Sequence, residues 1–222
     1  TFTDLFYKSV KNIGNKDLKP EEVAVYEIGA QARKSIFTLR CAAYFRHGKN
    51  IIDWARPSSE ELYVAQNITT LNTIGEEIDV KADLSKIFEQ DLFTINYISA
   101  GYAHIDINKS TGKYESLYAL DQLEHKVTSA VEILIIRHLD MNIKVVYQKR
   151  NGNYDLTNLE TKQIESHRYK GFTTVDAGLA YQCKFLTPYI EATNLFNSQS
   201  FDFSGLTLPG RWFKAGIKFN IK

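Results

Sequence analysis

The last stretch of the chain, from Trp212 to Lys222, sets Phe213, Ala215, Ile217, Phe219 and Ile221 on one side and Lys214, Lys218 and Lys222 on the other. A period of two is the signature of a β-strand with unlike faces. The same period recurs along the chain. Ala24, Tyr26, Ile28, Ala30 and Ala32 share a face, a polar turn follows near Arg33 to Ser35, and Phe37, Leu39, Cys41, Ala43 and Phe45 share the next, which predicts a hairpin. A polar loop is expected from about Gly48 to Glu61. A long strand then runs from Leu62 to about Asp83, with Ile74, Ile78, Val80 and Ala82 on its apolar side and Glu77, Asp79, Lys81 and Asp83 opposite; Glu76 interrupts the apolar row. After a link through Leu84 to Gln90, the alternation of Phe93, Ile95 and Tyr97 predicts a strand reaching Asp106. Beyond a loop from Asn108 to Glu115, Val127, Ser129, Val131, Ile133 and Ile135 form one row. A turn near His138 leads to the next, Met141, Ile143, Val145 and Tyr147. The polar segment from Gln148 to Arg168, with Asn151-Gly152-Asn153 inside it, reads as a long exposed loop. Val175, Ala177, Leu179 and Tyr181 then oppose Thr174, Asp176, Gly178 and Gln182. Leu186 to Thr193 leads into a loop from Asn194 to Gly210, and the last strand closes the series at about nine strands.

One-sided strands of this kind suit two settings: a soluble all-β binding module whose apolar rows pack sheet on sheet, and a membrane barrel with lipid outside and water inside. The regular alternation of short turns with long loops favours the barrel, whose two rims differ in that way. An odd strand number beginning in a loop suits the C-terminal part of a larger barrel, because single-chain bacterial barrels close with an even number. Composition adds to this. Aromatic residues at 13% with only 4 Pro tilt toward β structure. Lys and Arg total 27 against 26 Asp and Glu, and the net charge of +1 argues against a nucleic-acid partner, which usually demands a strongly basic face. Two distant cysteines, Cys41 and Cys183, make no disulfide framework and no zinc spacing. No apolar run is long enough for a membrane helix: the longest, Val131 to Ile136, contains Glu132. The start, Thr1-Phe2-Thr3-Asp4, lacks the features of a signal peptide, so the chain reads as processed or truncated.

Several short strings occur in a fixed order: Gly14-Asn15-Lys16-Asp17-Leu18-Lys19-Pro20-Glu21, Tyr26-Glu27-Ile28-Gly29, Ala43-Tyr44-Phe45-Arg46, Asn50-Ile51-Ile52-Asp53-Trp54, Asn67-Ile68 ahead of Gly75-Glu76-Glu77, Asn194-Leu195-Phe196-Asn197 and Pro209-Gly210-Arg211-Trp212. In this order they resemble the C-terminal barrel half of TonB-dependent outer-membrane receptors, particularly the cobalamin and siderophore type. The resemblance spans nearly the whole chain. It implies a 22-stranded antiparallel transmembrane β-barrel in the outer membrane of a Gram-negative bacterium. In such a receptor an N-terminal plug fills the lumen and TonB acts through that plug. Residues 1–222 would then be barrel alone, with nothing matching the plug. The function implied is energised import of a scarce ligand, a cobalamin or ferric siderophore, captured at the extracellular loops. A passive porin and the soluble module are the alternatives. The strings themselves suggest local roles: Gly75 permits a bulge or close packing in the wall, and Pro209-Gly210 delivers Trp212 and Phe213 to the membrane boundary.

Ligand contacts are expected in the loops, from Trp54, Arg56, Tyr114, Arg150, Tyr154, Phe201 and Phe203. Rings bury area at small entropic cost, and arginine forks onto carboxylates and phosphates. Glu77, Asp79, Lys81, Glu191, Lys214 and Lys218 are expected on the lumen wall, pairing with one another or with the plug. His47, His104, His125, His138 and His167 fall at no metal-ligand spacing and read as solvated loop or lumen residues. No catalytic triad, nucleophile elbow or carboxylate pair occurs, so the chain reads as a non-enzyme without cofactor.

Overall fold

The computed structural model describes residues 1–58, 61–88, 93–110, 115–116, 122–158, 160–161, 163–202 and 205–219. A short helix, α1 (Phe2–Phe6), precedes β1 (Asn12–Ile13), β2 (Glu22–Lys34), β3 (Phe37–Arg56), β4 (Tyr63–Asp83) and β5 (Thr94–Ser110). Then come β6 (Glu115–Ser116), β7 (Leu123–Ile136), β8 (Leu139–Arg150), β9 (Asn153–Thr157), β10 (Ile164–Arg168), β11 (Phe172–Tyr181), β12 (Leu186–Thr193) and β13 (Trp212–Phe219). The principal sheet runs β13-β12-β11-β8-β7-β5-β4-β3-β2, nine antiparallel strands each joined to its neighbour in sequence order, with the small β9–β10 hairpin apart. The strand β1 adds to β4 in parallel and β6 adds to the far end of β3. The sheet is open, with β2 and β13 at its edges.

Its register assembles the alternating rows into two continuous faces. Ala30, Cys41, Ile78, Tyr102, Val127 and Tyr147 lie side by side across six strands, and Ala32, Leu39, Val80, Ala100, Ser129, Val145 and Val175 form the next row. Among the described residues, no second layer packs on this apolar face. Ile28 is 76% exposed, Phe213 65% and Phe219 70%, while the buried hydrophobic cluster consists of Ile51, Ala55 and Leu71 with Ile107 against it. A soluble sandwich requires these rows to meet in a core. They do not.

The connections after β2, β4, β7 and β11 lie at one end of the sheet and those after β3, β5, β8 and β12 at the other; the first set is short (35–36, 137–138 and 182–185) except for 84–93, and the second is long (111–122, 151–171 and 194–211) except for 57–62. The first turn is closed by Ser35 at φ 53° and the third by His138 at φ 73°, left-handed conformations that turn residues adopt singly.

Three sequence expectations are corrected. The strand β3 continues through Arg56 instead of breaking at Gly48. Asn50, at φ 54°, reorients it so that Ile51 and Ala55 pack with Leu71, which makes a strand of the polar stretch. The segment 148–168 contains the hairpin of β9 and β10, paired from Asn153–Arg168 to Thr157–Ile164. A bulge between Ile95 and Tyr97 shifts the register of β5, so that Ile98, Ala100 and Tyr102 carry the apolar row. Gly75, expected to permit a bulge or close packing, serves close packing. The ring of Tyr44, its register partner on β3, lies over it on the polar face, where an added Cβ would come 2.1 Å from the ring.

Candidate ligand-binding site

At the long-loop end two constellations emerge, one that holds the rim together and one that builds a surface. The first is made of the strings singled out in the sequence. Asn67 Nδ2 donates to the carbonyls of Lys19 at 2.9 Å and Asn50 at 2.6 Å, and its Oδ1 accepts from Lys19 N at 2.8 Å. Glu21 Oε1 accepts from Ile52 N at 2.7 Å, and Asn50 Nδ2 reaches Pro20 O at 3.4 Å. Thus the segment before β2, the kink of β3 and the start of β4 are clamped at one point. A second clamp joins β12 to β13. Asn194 and Asn197 both adopt positive φ, 49° and 54°, which asparagine tolerates better than most residues. Asn194 Nδ2 donates to Ser198 O at 2.9 Å and its Oδ1 accepts from Ser198 N at 2.9 Å; Asn197 Oδ1 accepts from Arg211 N at 3.0 Å. Gly210 leaves room for that amide, since a Cβ there would stand 2.5 Å from Asn197 Oδ1. These strings shape the wall.

The second constellation joins two loops. Tyr154 on β9 stacks on His167 of β10 at 5.7 Å and on Phe201 at 4.9 Å, with Tyr169 tilted against it at 4.8 Å. Arg150, at the end of β8, is ion-paired with Asp202 and lies 5.9 Å from the ring of Tyr169. The Tyr169 hydroxyl donates to Asp202 O at 3.2 Å and accepts from Gly205 N at 3.4 Å. Arg150, Tyr154 and Phe201, predicted from separate loops, are therefore brought into one aromatic and charged patch, in which Tyr169, Asp202 and His167 were not foreseen.

Below this patch the polar face holds a cavity of about 350 Å³ lined by Thr174, Asp176, Thr193, Asn194, Trp212 and Lys214, together with Pro209 and Gly210. Trp212 is 60% exposed and lies in register with Thr193, whereas Phe213 is in register with Ala192 on the apolar face. The tryptophan thus stands on the polar face and not, as expected, beside Phe213 at the membrane boundary. Its sequence signal was the strand period itself, which sends adjacent residues to opposite sides.

The remaining expected ligand residues lie elsewhere. Trp54 is only 5% exposed: its indole donates to Asp4 Oδ1 at 3.1 Å, and Tyr7 meets it edge-on at 6.2 Å. It packs the N-terminal segment onto β3, and its burial removes it from an open ligand surface. Arg56 lies over the ring of Tyr63 at 4.4 Å. Tyr114 and Phe203 lie outside the described residues.

On the polar face of β4, Glu77, Asp79 and Lys81 follow one another at intervals of two. Asp79 is in register with Arg40, and Lys81 sits over Tyr97 at 4.1 Å. Glu191 faces Lys214 across β12 and β13, and Lys218 lies 5.0 Å from the ring of Tyr189. Both cysteines are free. Two of the histidines depart from expectation: His104 and His125 meet as register partners on the apolar face, near the long-loop end.

Comparison with known families decides what wall this is. The family model described as TonB dependent receptor-like, beta-barrel, matches residues 1–195. The chain belongs to the TonB-dependent receptor β-barrel family. No curated protein sequence matches it. Among solved structures, the copper transporter OprC superposes with a TM-score of 0.72 at 14% identity, over 99% of this chain and 35% of that one. The pyoverdine outer membrane receptor FpvA from Pseudomonas aeruginosa superposes with a TM-score of 0.66 at 17% identity, over 97% and 32%. The FrpB iron transporter from Neisseria meningitidis gives 0.62 at 15% identity, over 93% and 32%. The chain spans about a third of the length of these proteins. At such identities the likeness is one of fold, and the fold is that of a transmembrane barrel wall. The exposed apolar face is accordingly the one such a wall turns to lipid, and the polar face the one it turns to the lumen. The family and these neighbours are receptors and transporters, not enzymes.

Proposed function

We propose that residues 1–222 form the C-terminal wall of a 22-stranded outer-membrane importer. In that receptor an N-terminal plug fills the lumen and TonB, acting on the plug, supplies the energy. The long-loop rim faces outward in this reading. Its patch of Arg150, Tyr154, Tyr169 and Phe201 makes first contact with a ferric siderophore or a cobalamin, and Trp212 and Lys214 line the path beneath. The single observation that carries the proposal is the folding of loops 151–171 and 194–211 onto one another above a cavity on the polar face. Stacked rings beside an arginine suit a bulky, partly planar ligand with anionic groups, such as an iron chelate, better than a small ion. FpvA, whose structure holds pyoverdine, supports a siderophore over a cobalamin for this chain. The mixed charges of Glu77, Asp79, Lys81, Glu191, Lys214 and Lys218 supply partners for a plug.

The test is uptake by cells carrying the full-length receptor. Iron-loaded siderophores and cobalamin are offered in parallel, with and without a protonophore. Energy-dependent uptake of one of them is expected, with the Tyr154→Ala receptor binding that ligand about tenfold more weakly, as loss of one stacked anchor implies. Uptake that ignores the protonophore would identify a passive porin and overturn the proposal.

A further inference from the structure

One cluster of metal-binding side chains lies outside the loops and the lumen. His104 on β5 and His125 on β7 are direct register partners on the apolar face, their rings nearly parallel at 16° and 4.8 Å apart. They sit close to the long-loop ends of their strands, in a row that begins with Ile28 and Ala43 and continues through Glu76. The row is polar at this level, with Glu76 opposite His104 and Lys149 opposite His125, whereas the row on the side away from the loops carries Ile78, Tyr102, Val127 and Tyr147.

Three features give the pair a direction. The Tyr102 hydroxyl lies 2.9 Å from His125 Nδ1. When Nδ1–H donates to that hydroxyl, the tautomer is fixed and the lone pair of Nε2 is left for a ligand, the arrangement by which outer partners orient metal-bound histidines. Next, Glu124 Oε1 lies 3.8 Å from His125 Nε2, which places negative charge on the side where a cation would bind, while its other oxygen is held by Lys149 Nζ at 2.8 Å. Finally, directly opposed strand residues hold their Cβ atoms about 5 Å apart, and a tetrahedral ion with nitrogen ligands at about 2.0–2.1 Å needs its two nitrogens roughly 3 Å apart. With the rings stacked 4.8 Å apart, a bound ion requires the His104 ring to turn toward Nε2 of His125, whose own ring stays held through Nδ1 by Tyr102.

We propose that His104 and His125 form a two-point chelate for Zn²⁺ or Cu²⁺ on the outer surface of the wall. The remaining coordination positions are filled by water, because no group of three or more ligating side chains is assembled among the described residues. Imidazole pairs favour these ions over Mg²⁺ and Ca²⁺, which prefer oxygen ligands. Facing away from the lumen, the site is independent of the imported ligand.

The test uses the full-length receptor in detergent, titrated calorimetrically with ZnCl₂. Wild type is expected to bind one equivalent more than His104→Ala or His125→Ala, with micromolar affinity. Tyr102→Phe should weaken that equivalent several-fold, and His138→Ala, in a distant turn, should leave it unchanged. Equal stoichiometry and affinity in wild type and the His104→Ala/His125→Ala double variant would overturn the proposal. A measurement that needs no variant guards against misfolding: with one equivalent of Cu²⁺, pulsed electron paramagnetic resonance should show two coupled imidazoles. A spectrum without two such nitrogens contradicts the site.

Discussion

At the scale of single residues, the wall depends on fits too close for its composition to reveal. Gly75 lies under the ring of Tyr44, and Gly216 lies in the same relation to Tyr189, where an added Cβ would approach the hydroxyl oxygen to 2.6 Å. In each pair a large ring covers the gap its glycine leaves on the neighbouring strand. Gly75→Ala should therefore force the tyrosine to move and destabilise the folded barrel by about 1–3 kcal/mol. Urea unfolding of the refolded receptor measures this, and a double-mutant cycle with Tyr44→Ala isolates the cause. The alanine should cost markedly less once the ring is gone; equal costs in both backgrounds would place the strain elsewhere. That Gly75 matters was legible in the sequence. Its partner was not, because the register that brings Tyr44 across from it is set by the whole β3–β4 ladder.

At the scale of elements, the alternating strands were readable because one face is apolar along nearly its whole length, and a slip of one residue would turn every side chain over. What escaped were departures from period two. The bulge at Ile95, the left-handed Asn50 and the β9–β10 hairpin leave no trace in hydrophobic alternation. The recurring strings were readable as a family signature but not as clamps, since Asn67 acts on Lys19, 48 positions away in sequence, and on Asn50, 17 away. Asn67→Ala removes three hydrogen bonds that tie the segment before β2 to β3 and β4. Because it strands the Lys19 and Asn50 backbone groups, the loss should be about 1–3 kcal/mol and local. Limited proteolysis of the receptor in outer membranes should show new cleavage between residues 1 and 21 while the strands stay protected. Unchanged protection would show that the clamp is dispensable. For the candidate site, the loop residues Arg150, Tyr154 and Phe201 could be listed from residue type alone. That they converge, and that Trp54 is withdrawn into packing, depends on contacts between loops distant in sequence.

At the scale of the whole molecule, two faces of opposite character account for the architecture. Among the described residues the hydrophobic rows of the nine-stranded sheet meet no other layer and the buried cluster is only that of Ile51, Ala55 and Leu71, so the sheet's stability in water would be poor. In a bilayer the same rows are satisfied by acyl chains, and the backbone groups are paired along the ladders except where bulges and the Asn50 kink interrupt the register. Among the described strands of the principal sheet, β2 and β13 form the edges, and a complete barrel supplies their neighbours. The most direct test of this account is spin labelling along β13 in the full-length receptor, reconstituted in liposomes after Cys41 and Cys183 are replaced. Labels at Phe213, Ala215 and Ile217 should relax with dissolved oxygen, and labels at Lys214, Gly216 and Lys218 with an aqueous nickel chelate. The preference should switch at every residue. Uniform access to the aqueous agent, or shielding of the Phe213, Ala215 and Ile217 row from both agents, would contradict the account.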